Sequence, residues 1–336
     1  MNESKTSRGS VIVTGGAGYI GSHTCKALAA RGYLPVTYDN LSIGNRWAVR
    51  WGPLERGDIL DASRLHDVFK DHRPVGVLHF AALALVGESM QVPGLYYRTN
   101  VAGAQNVIDA CRIHDVPAFV FSSTCAVYGV PLTLPINEDT PTVPINPYGA
   151  SKLMVERILA DYSRAYGLSY MALRYFNAAG ADPDCEIGEA RDVETHLVPL
   201  ALGAVLGTHP PLRILGDNYS TPDGTAVRDY IHVSDLAEVH VRALDLLLEG
   251  GASRKINLGT GRGYSVRQVL DAAAEVAGRR VPHEIAPRRS GDPAELVADS
   301  SLACALFGTD LTQRSTLACI IETAWAWHLR KIRALQ

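Results

Sequence analysis

Short, nearly continuous apolar runs alternate along this chain with longer stretches whose apolar positions recur every three or four residues. VIVTG (11–15) is β-branched and closed by glycine, which reads as a strand. SHTCKALAARG (22–32) follows with helical spacing and ends on Gly32, a residue suited to the position after a helix C-terminus. The alternation continues through strand LPVTYDN (34–40), helix ASRLHDVFKDH (62–72), strand GVLHFAA (76–82) and helix NVAGAQNVIDACRIHD (100–115). Strand AFVFSST (118–124), a long helix over 148–166 and strand SYMALRYFN (169–177) complete it. Strands alternating with helices predict right-handed βαβ units and a parallel sheet covered on both faces. The expected fold class is α/β, a Rossmann-type doubly wound parallel sheet.

After Asn177 the rhythm loosens. GADPDCEIGEARDVE (180–194) and GDNYSTPDGTAVRDY (216–230) read as loops, separated by a helix near 196–206. A helix over 234–249, strand KINLG (255–259), helix SVRQVLDAAAEVAG (265–278) and a last helix rich in Trp and Ile follow. The expected division is a nucleotide-binding domain over 10–177, to which 228–259 partly returns, and a smaller α/β substrate lobe over 178–336.

Composition narrows the function. The 336 residues are 47% hydrophobic and 20% charged, an ordinary globular balance with room for a substantial core. A net charge of −3 without long single-sign runs gives no field for nucleic acid. The six cysteines form no C-x-x-C pair, which argues against disulfide or zinc frameworks and suits a reducing compartment. The polar opening MNESKTSRGS lacks the apolar core of a signal peptide, and no apolar run reaches membrane-spanning length. The expectation is a soluble cytoplasmic protein with no membrane partner. The histidines form no H-x-x-x-H set, so no metal is assigned.

Three features carry chemistry. In GGAGYIG (15–21), Gly15, Gly18 and Gly21 follow a strand and open a helix. Glycines there permit a tight turn and bring backbone close to a pyrophosphate at the helix N-terminus. Asp39 ends the second strand, 18 residues past Gly21. A carboxylate there accepts hydrogen bonds from ribose hydroxyls and repels a 2′-phosphate, which selects NAD over NADP. Asp58, in GDI (57–59), is suited either to the adenine amine or to a plain turn. The third feature is INPYGASKLMVERI (145–158), with Tyr148 and Lys152 four apart and so neighbours on one helix face. An ammonium beside a phenol favours phenolate and lowers the tyrosine pKa from about 10 toward neutrality. A surface Tyr–Lys pair is the plain alternative, and the remaining motifs decide against it.

Those motifs, with a hydroxyl residue at Thr124 after FVFSS, resemble the extended short-chain dehydrogenase/reductase family. TGGAGYIGSHT, YDNLSIG, HFAA, VGES, PYGASKLMVE, LRYFNAAGAD, VRDYIHVSDLA, NLGTGRGYSV and PRRSGDP, in this order, are similar to its nucleotide-sugar 4-epimerases. The resemblance implies NAD-dependent interconversion of UDP-galactose and UDP-glucose. C4 is oxidised, the 4-keto sugar turns, and hydride returns to the opposite face. It implies Tyr148 as base, Lys152 as its tuning partner and ribose contact, and Thr124 as a bridge between sugar oxygen and phenol. It implies cofactor contacts at Gly15, Gly18, Tyr19, Ile20, Gly21, Asp39, Asn40, Asp58, Ile59, Phe80, Ala81, Ala82, Asn100, Ser122, Tyr148, Lys152 and Tyr175. For the UDP-sugar it implies Thr124, Tyr148, Asn177, His196, Leu197, Leu215, Arg228, Arg289, Asp292 and Leu296. Arg228 and Arg289 suit a diphosphate, because guanidinium meets phosphate in bidentate fashion. A homodimer through the helices at about 100–114 and 149–166 is also implied.

Two positions depart from the pattern. Ala84 stands where some relatives carry a lysine near the cofactor. Leu296 stands where a tyrosine closes the pocket beside the sugar C2 substituent. The smaller leucine suggests tolerance of UDP-N-acetylglucosamine. Among rivals, a 4,6-dehydratase or decarboxylase needs an acid and base after the active-site threonine, where this chain has Cys125 and Ala126. A non-catalytic NAD-binding sensor would not need the Tyr-x-x-x-Lys pair. A 4-epimerase of UDP-glucuronate or a UDP-pentose stays open.

Overall fold

The structure, a computed structural model, describes residues 8–289, 292–308 and 312–335. Ser290 and Gly291 of the PRRSGDP segment lie outside the described residues. In chain order it forms β1 (Ser10–Thr14), α1 (Tyr19–Ala30), β2 (Leu34–Asp39), β3 (Leu54–Arg56), α2 (Ala62–His72), β4 (Gly76–His79), α3 (Val86–Gln91), α4 (Pro93–Tyr96), α5 (Gly103–Ile113), β5 (Ala118–Thr124), α6 (Pro147–Tyr166) and β6 (Ser169–Tyr175). It continues with β7 (Asn177–Ala179), α7 (Leu197–Leu206), β8 (Leu212–Leu215), β9 (Val227–His232), α8 (Val233–Leu248), β10 (Arg254–Leu258), β11 (Gly263–Ser265), α9 (Val266–Ala277), β12 (His283–Ala286), β13 (Glu295–Leu296), α10 (Ser301–Phe307) and α11 (Leu317–Leu335).

The chain divides into two compact units. The first comprises Met1–Gly129, Pro141–Arg174 and Ala237–Ile256. Its core is a seven-stranded sheet in the order β10-β6-β5-β4-β1-β2-β3. The pairs β1–β2, β1–β4, β2–β3 and β4–β5 are parallel, as the alternating strands and helices require. Strand order reverses between β1 and β4, the switch point where such sheets open a crevice at their carboxyl ends. Ile12, Val36, Val77 and Phe119 from the strands are buried with Leu65 and Phe69 of α2, Val107 and Ile108 of α5, and Val155 and Leu159 of α6. Each such side chain contributes about 1.5–3 kcal/mol by leaving water. A polar network lies within this unit: Arg174 Nε donates to Glu156 Oε1 at 2.8 Å, and Ser123 Oγ donates to the same oxygen at 2.6 Å. Arg174 Nη1 also donates to Tyr128 Oη at 2.8 Å, and Arg174 and Glu156 are 2% and 0% exposed.

The second unit comprises Val130–Thr140, Tyr175–Leu236 and Asn257–Gln336. It carries a four-stranded sheet in which β9 pairs with β7, β11 and β13, and a separate β8–β12 pair. Val198 and Leu202 of α7, Val269 and Leu270 of α9, and Ile320 and Ile321 of α11 form its buried core. The strand expected over 169–177 is interrupted at Phe176. Upstream, β6 joins the large sheet, while β7 pairs with β9 in the register Asn177↔Tyr230. The single run is split because its two halves hydrogen-bond to different partners. Among the described residues no helix is long and apolar enough to cross a membrane.

Candidate active site

The glycine turn at the β1–β4 switch is shaped by contact. Gly15 has φ +71°, and a Cβ there would lie 2.6 Å from Ala81 N, just beyond β4. A Cβ on Gly21 would lie 2.3 Å from Gly15 O, so the start of α1 can seat on the turn only as glycine. Gly18 precedes α1 without a side-chain cap, and its Cβ would meet only Gly15 O, at 3.2 Å. The first turn of α1 holds no acidic residue. Free helix N–H groups, the dipole and missing side chains make a cradle for a pyrophosphate. Tyr19 and Ile20 are half-buried beside it.

Asp39 ends β2 under this turn. Its carboxylate accepts from Ala17 N at 3.0 Å and from Leu41 N at 2.8 Å. Burial pushes its pKa up, and the two N–H donors offset part of that. Each carboxylate oxygen keeps a second lone pair for a ribose hydroxyl. Asn40 Nδ2 donates to Asp58 Oδ2 at 2.9 Å, and Leu60 N to Asp58 Oδ1 at 2.9 Å, so Asp58 is fixed next to buried Ile59. These residues fit NAD. The cradle matches the pyrophosphate, and the Asp39 carboxylate would repel a 2′-phosphate.

The catalytic candidates sit on β5 and α6. Asn146 caps α6 by accepting from Gly149 N at 2.8 Å, and Pro147 pre-sets its first turn. Tyr148 is therefore the second residue of a 20-residue helix, half-buried, with Lys152 one turn on. Lys152 is 2% exposed, and its Nζ donates to Ser122 O at 2.8 Å and lies 4.9 Å from the Phe121 ring centroid. Burial pulls its pKa from the ordinary 10.5 to about 7. His79, buried at the end of β4, is drawn down to about 3 by burial and then by the Lys152 charge, so it stays neutral. Thr124, last in β5, accepts from Ala126 N at 3.1 Å through Oγ1, which leaves its hydroxyl proton available.

Two expected cofactor positions are tied into the fold. Asn100 is buried and donates both amide hydrogens, to Leu83 O and Ser151 Oγ, each at 3.0 Å. Its carbonyl accepts from Leu83 N at 2.8 Å, so it braces the segment running from Phe80, Ala81 and Ala82. Ser122 contributes its backbone carbonyl, to Lys152. Phe80 packs on the His240 ring at 4.7 Å, and Tyr175 ends β6 half-buried. Glu156 was not expected. It lies four residues after Lys152 on α6 and holds Ser123, as Lys152 holds Ser122.

The expected substrate residues fall in the second unit. Arg228, on β9, lies in register with Leu296 on β13, and neighbouring β7 begins with Asn177. Arg228 Nη2 donates to Asp292 Oδ1 at 2.6 Å and Pro293 O at 2.9 Å, and Nη1 to Val227 O at 2.7 Å. Much of its guanidinium is spent fixing the Asp292 segment. Leu215 ends β8, and Arg289 is exposed. His196 precedes α7, of which Leu197 is the first residue, and its Nδ1 lies 2.7 Å from Glu189 Oε1. Arg191 pairs with the same carboxylate at 3.1 Å.

A Rossmann-type sheet with this glycine turn and a Tyr-x-x-x-Lys helix defines a dinucleotide-dependent enzyme. The family model for the NAD dependent epimerase/dehydratase family matches residues 11–259, and the chain belongs to that family. It is 50% identical over 321 residues to the UDP-glucose 4-epimerase of Rhizobium meliloti (strain 1021), covering 96% of this chain and 97% of that relative. The crystal structure of UDP-glucose 4-epimerase from Brucella ovis in complex with NAD is 53% identical with TM-score 0.92, over 95% of this chain and 98% of that one. That of UDP-glucose 4-epimerase from Bifidobacterium longum in complex with NAD+ and UDP is 36% identical with TM-score 0.91, over 96% and 99%.

The Lys152 shift sets a pH dependence. Its ammonium is complete below about pH 7 and is lost as pH rises through that value. Between there and the ordinary 10.5 the unfolded chain holds a proton that the folded protein has released, so the Lys152 contribution to stability rises with pH. Denaturant unfolding of cofactor-free protein is expected to show this rise, and Lys152→Met is expected to flatten it. Parallel pH curves for the two proteins would contradict a buried, downshifted lysine.

Proposed function

We infer that this protein interconverts UDP-galactose and UDP-glucose with retained NAD. The observation that carries the reading is the placement of Tyr148 and Lys152 on the first turns of α6, with Lys152 fixed to the β5 end that presents Thr124. When bound, NAD supplies the acceptor and donor of the C4 hydride. The residues do the rest. Tyr148 takes the proton of the sugar 4-OH and later returns it. The positive end of α6 and the Lys152 ammonium both favour its phenolate. Only one of the three Lys152 donors is used by Ser122 O, and the others suit the nicotinamide ribose. Thr124 donates to the sugar oxygen. The first unit binds NAD, and Asn177, His196, Leu197, Leu215, Arg228, Arg289, Asp292 and Leu296 of the second hold the UDP-sugar.

The six isolated cysteines suit the reducing cytoplasm. We also propose a homodimer through α5 and α6, which expose the apolar side chains of Ile113, Met154 and Tyr166. Light scattering should read about twice the 36.2 kDa chain mass, and a single-chain mass would refute the dimer.

Tyr148→Phe should lower kcat for UDP-galactose by about 10²–10⁴-fold, the usual worth of a general base, while UDP and NAD stay bound. Turnover within threefold of the parent would remove Tyr148 from the role. Leu296 leaves room beside the sugar C2, so UDP-N-acetylglucosamine should be converted as a side reaction. Leu296→Tyr should depress that reaction by roughly tenfold or more and spare UDP-galactose. Equal effects on both sugars, or no conversion of the N-acetyl sugar by the parent, would sink this assignment.

A further inference from the structure

Lys152 must keep a charge in a place nearly closed to water. It is 2% exposed, and its Nζ donates to Ser122 O at 2.8 Å. Burial of an ammonium favours the neutral amine. A neutral amine would give the Tyr148 phenol no electrostatic help. Whatever keeps the proton on Nζ therefore belongs to the reaction.

The surroundings offer one candidate. Among the described residues Nζ meets a carbonyl and the face of one ring, that of Phe121, whose centroid is 4.9 Å away. On α6, Glu156 one turn further along is taken by Arg174 and Ser123, and Tyr148 one turn back carries the phenol to be tuned. On β4, His79 is neutral and supplies no countercharge. Phe121 is itself fixed. It is 1% exposed, lies in register with His79 of β4, and stacks on that imidazole with centroids 5.9 Å and planes 22° apart. His79 Nδ1 lies 2.7 Å from Thr14 Oγ1, so the stack is anchored across β5, β4 and β1. An aromatic face carries the negative lobe of the ring quadrupole, and it attracts a cation most strongly where water is excluded.

We propose that Phe121 is a positioning residue for the reaction: its ring face holds the buried Lys152 head group as an ammonium beside Ser122 O, the state that favours the Tyr148 phenolate. The proposal rests on the catalytic reading of Tyr148 and Lys152 above and names the side chain that sustains it.

The test is NMR titration of protein carrying ¹³C-labelled lysine. The chain has six lysines, and Lys152→Met assigns the signal of interest. Phe121→Leu and Phe121→Met both keep an apolar side chain in the core and remove the ring face, so either one that folds is sufficient. Each should lower the Lys152 midpoint by about one pH unit, a tenfold loss of proton affinity on the scale of a desolvated cation–π contact. Phe119→Leu, on the same face of β5 and beside the same imidazole, should leave the midpoint in place. A Lys152 midpoint unchanged in the Phe121 variants would overturn the proposal. So would an equal shift in Phe119→Leu, which would mark general loosening of the core. The alkaline fall of kcat for UDP-galactose should move with the lysine, and a fall that stays in place would also overturn it. A parent that converts no UDP-galactose would refute the UDP-sugar reading, while the NMR midpoints would still decide whether the ring holds the ammonium.

Discussion

Two charged side chains one turn apart on α6 are buried, and each is fixed to the end of β5. Lys152 donates to Ser122 O at 2.8 Å, and Glu156 accepts from Ser123 Oγ at 2.6 Å. Removing the Glu156 partner would leave Arg174 buried and unpaired, which typically costs about 3–5 kcal/mol. Residues 122–124 are thereby held against the N-terminal half of α6, and Thr124 and Tyr148 keep one relation to each other. A proton relay tolerates little play, because a misplacement of about 1 Å can cost roughly a hundredfold in rate. The same burial that fixes Lys152 draws it to about 7, so the tuning charge is itself near its titration point. A ribose hydroxyl accepting from Nζ would favour the charged form, which couples cofactor retention to phenolate formation.

The glycine turn obeys a different constraint. Gly15 and Gly21 are required by neighbouring backbone, at 2.6 Å and 2.3 Å from a hypothetical Cβ, whereas a Cβ on Gly18 would meet only Gly15 O, at 3.2 Å. Two of the glycines make the turn possible, and the third leaves room for a phosphate. Asp39, directly beneath, spends one lone pair of each oxygen on backbone N–H groups and retains the others.

Most of this architecture was legible because the determinants are local. β-branched runs, helical spacing and the Tyr-x-x-x-Lys pair lie within a few residues, and they give the parallel sheet and the place of α6 directly. What was not legible depends on chain closure. Glu156 looks like a surface charge in MVERI, and its partners Ser123 and Arg174 lie 33 and 18 residues away. Asn100 and Arg228 carry the right chemistry for ligands. Nothing in the sequence tells that Leu83, Ser151, Asp292 and Pro293 already claim much of their hydrogen-bonding capacity. The break at Phe176 was hidden for the same reason, since only the partner strands distinguish β6 from β7.

The most direct test of hydride removal and return at one carbon is NMR of UDP-galactose incubated with the purified protein in D₂O, with no cofactor added. The account predicts UDP-glucose with protium retained at C4, because the hydride leaves to the retained NAD and comes back without meeting solvent. Deuterium at C4, or no conversion even after NAD is supplied, would contradict it.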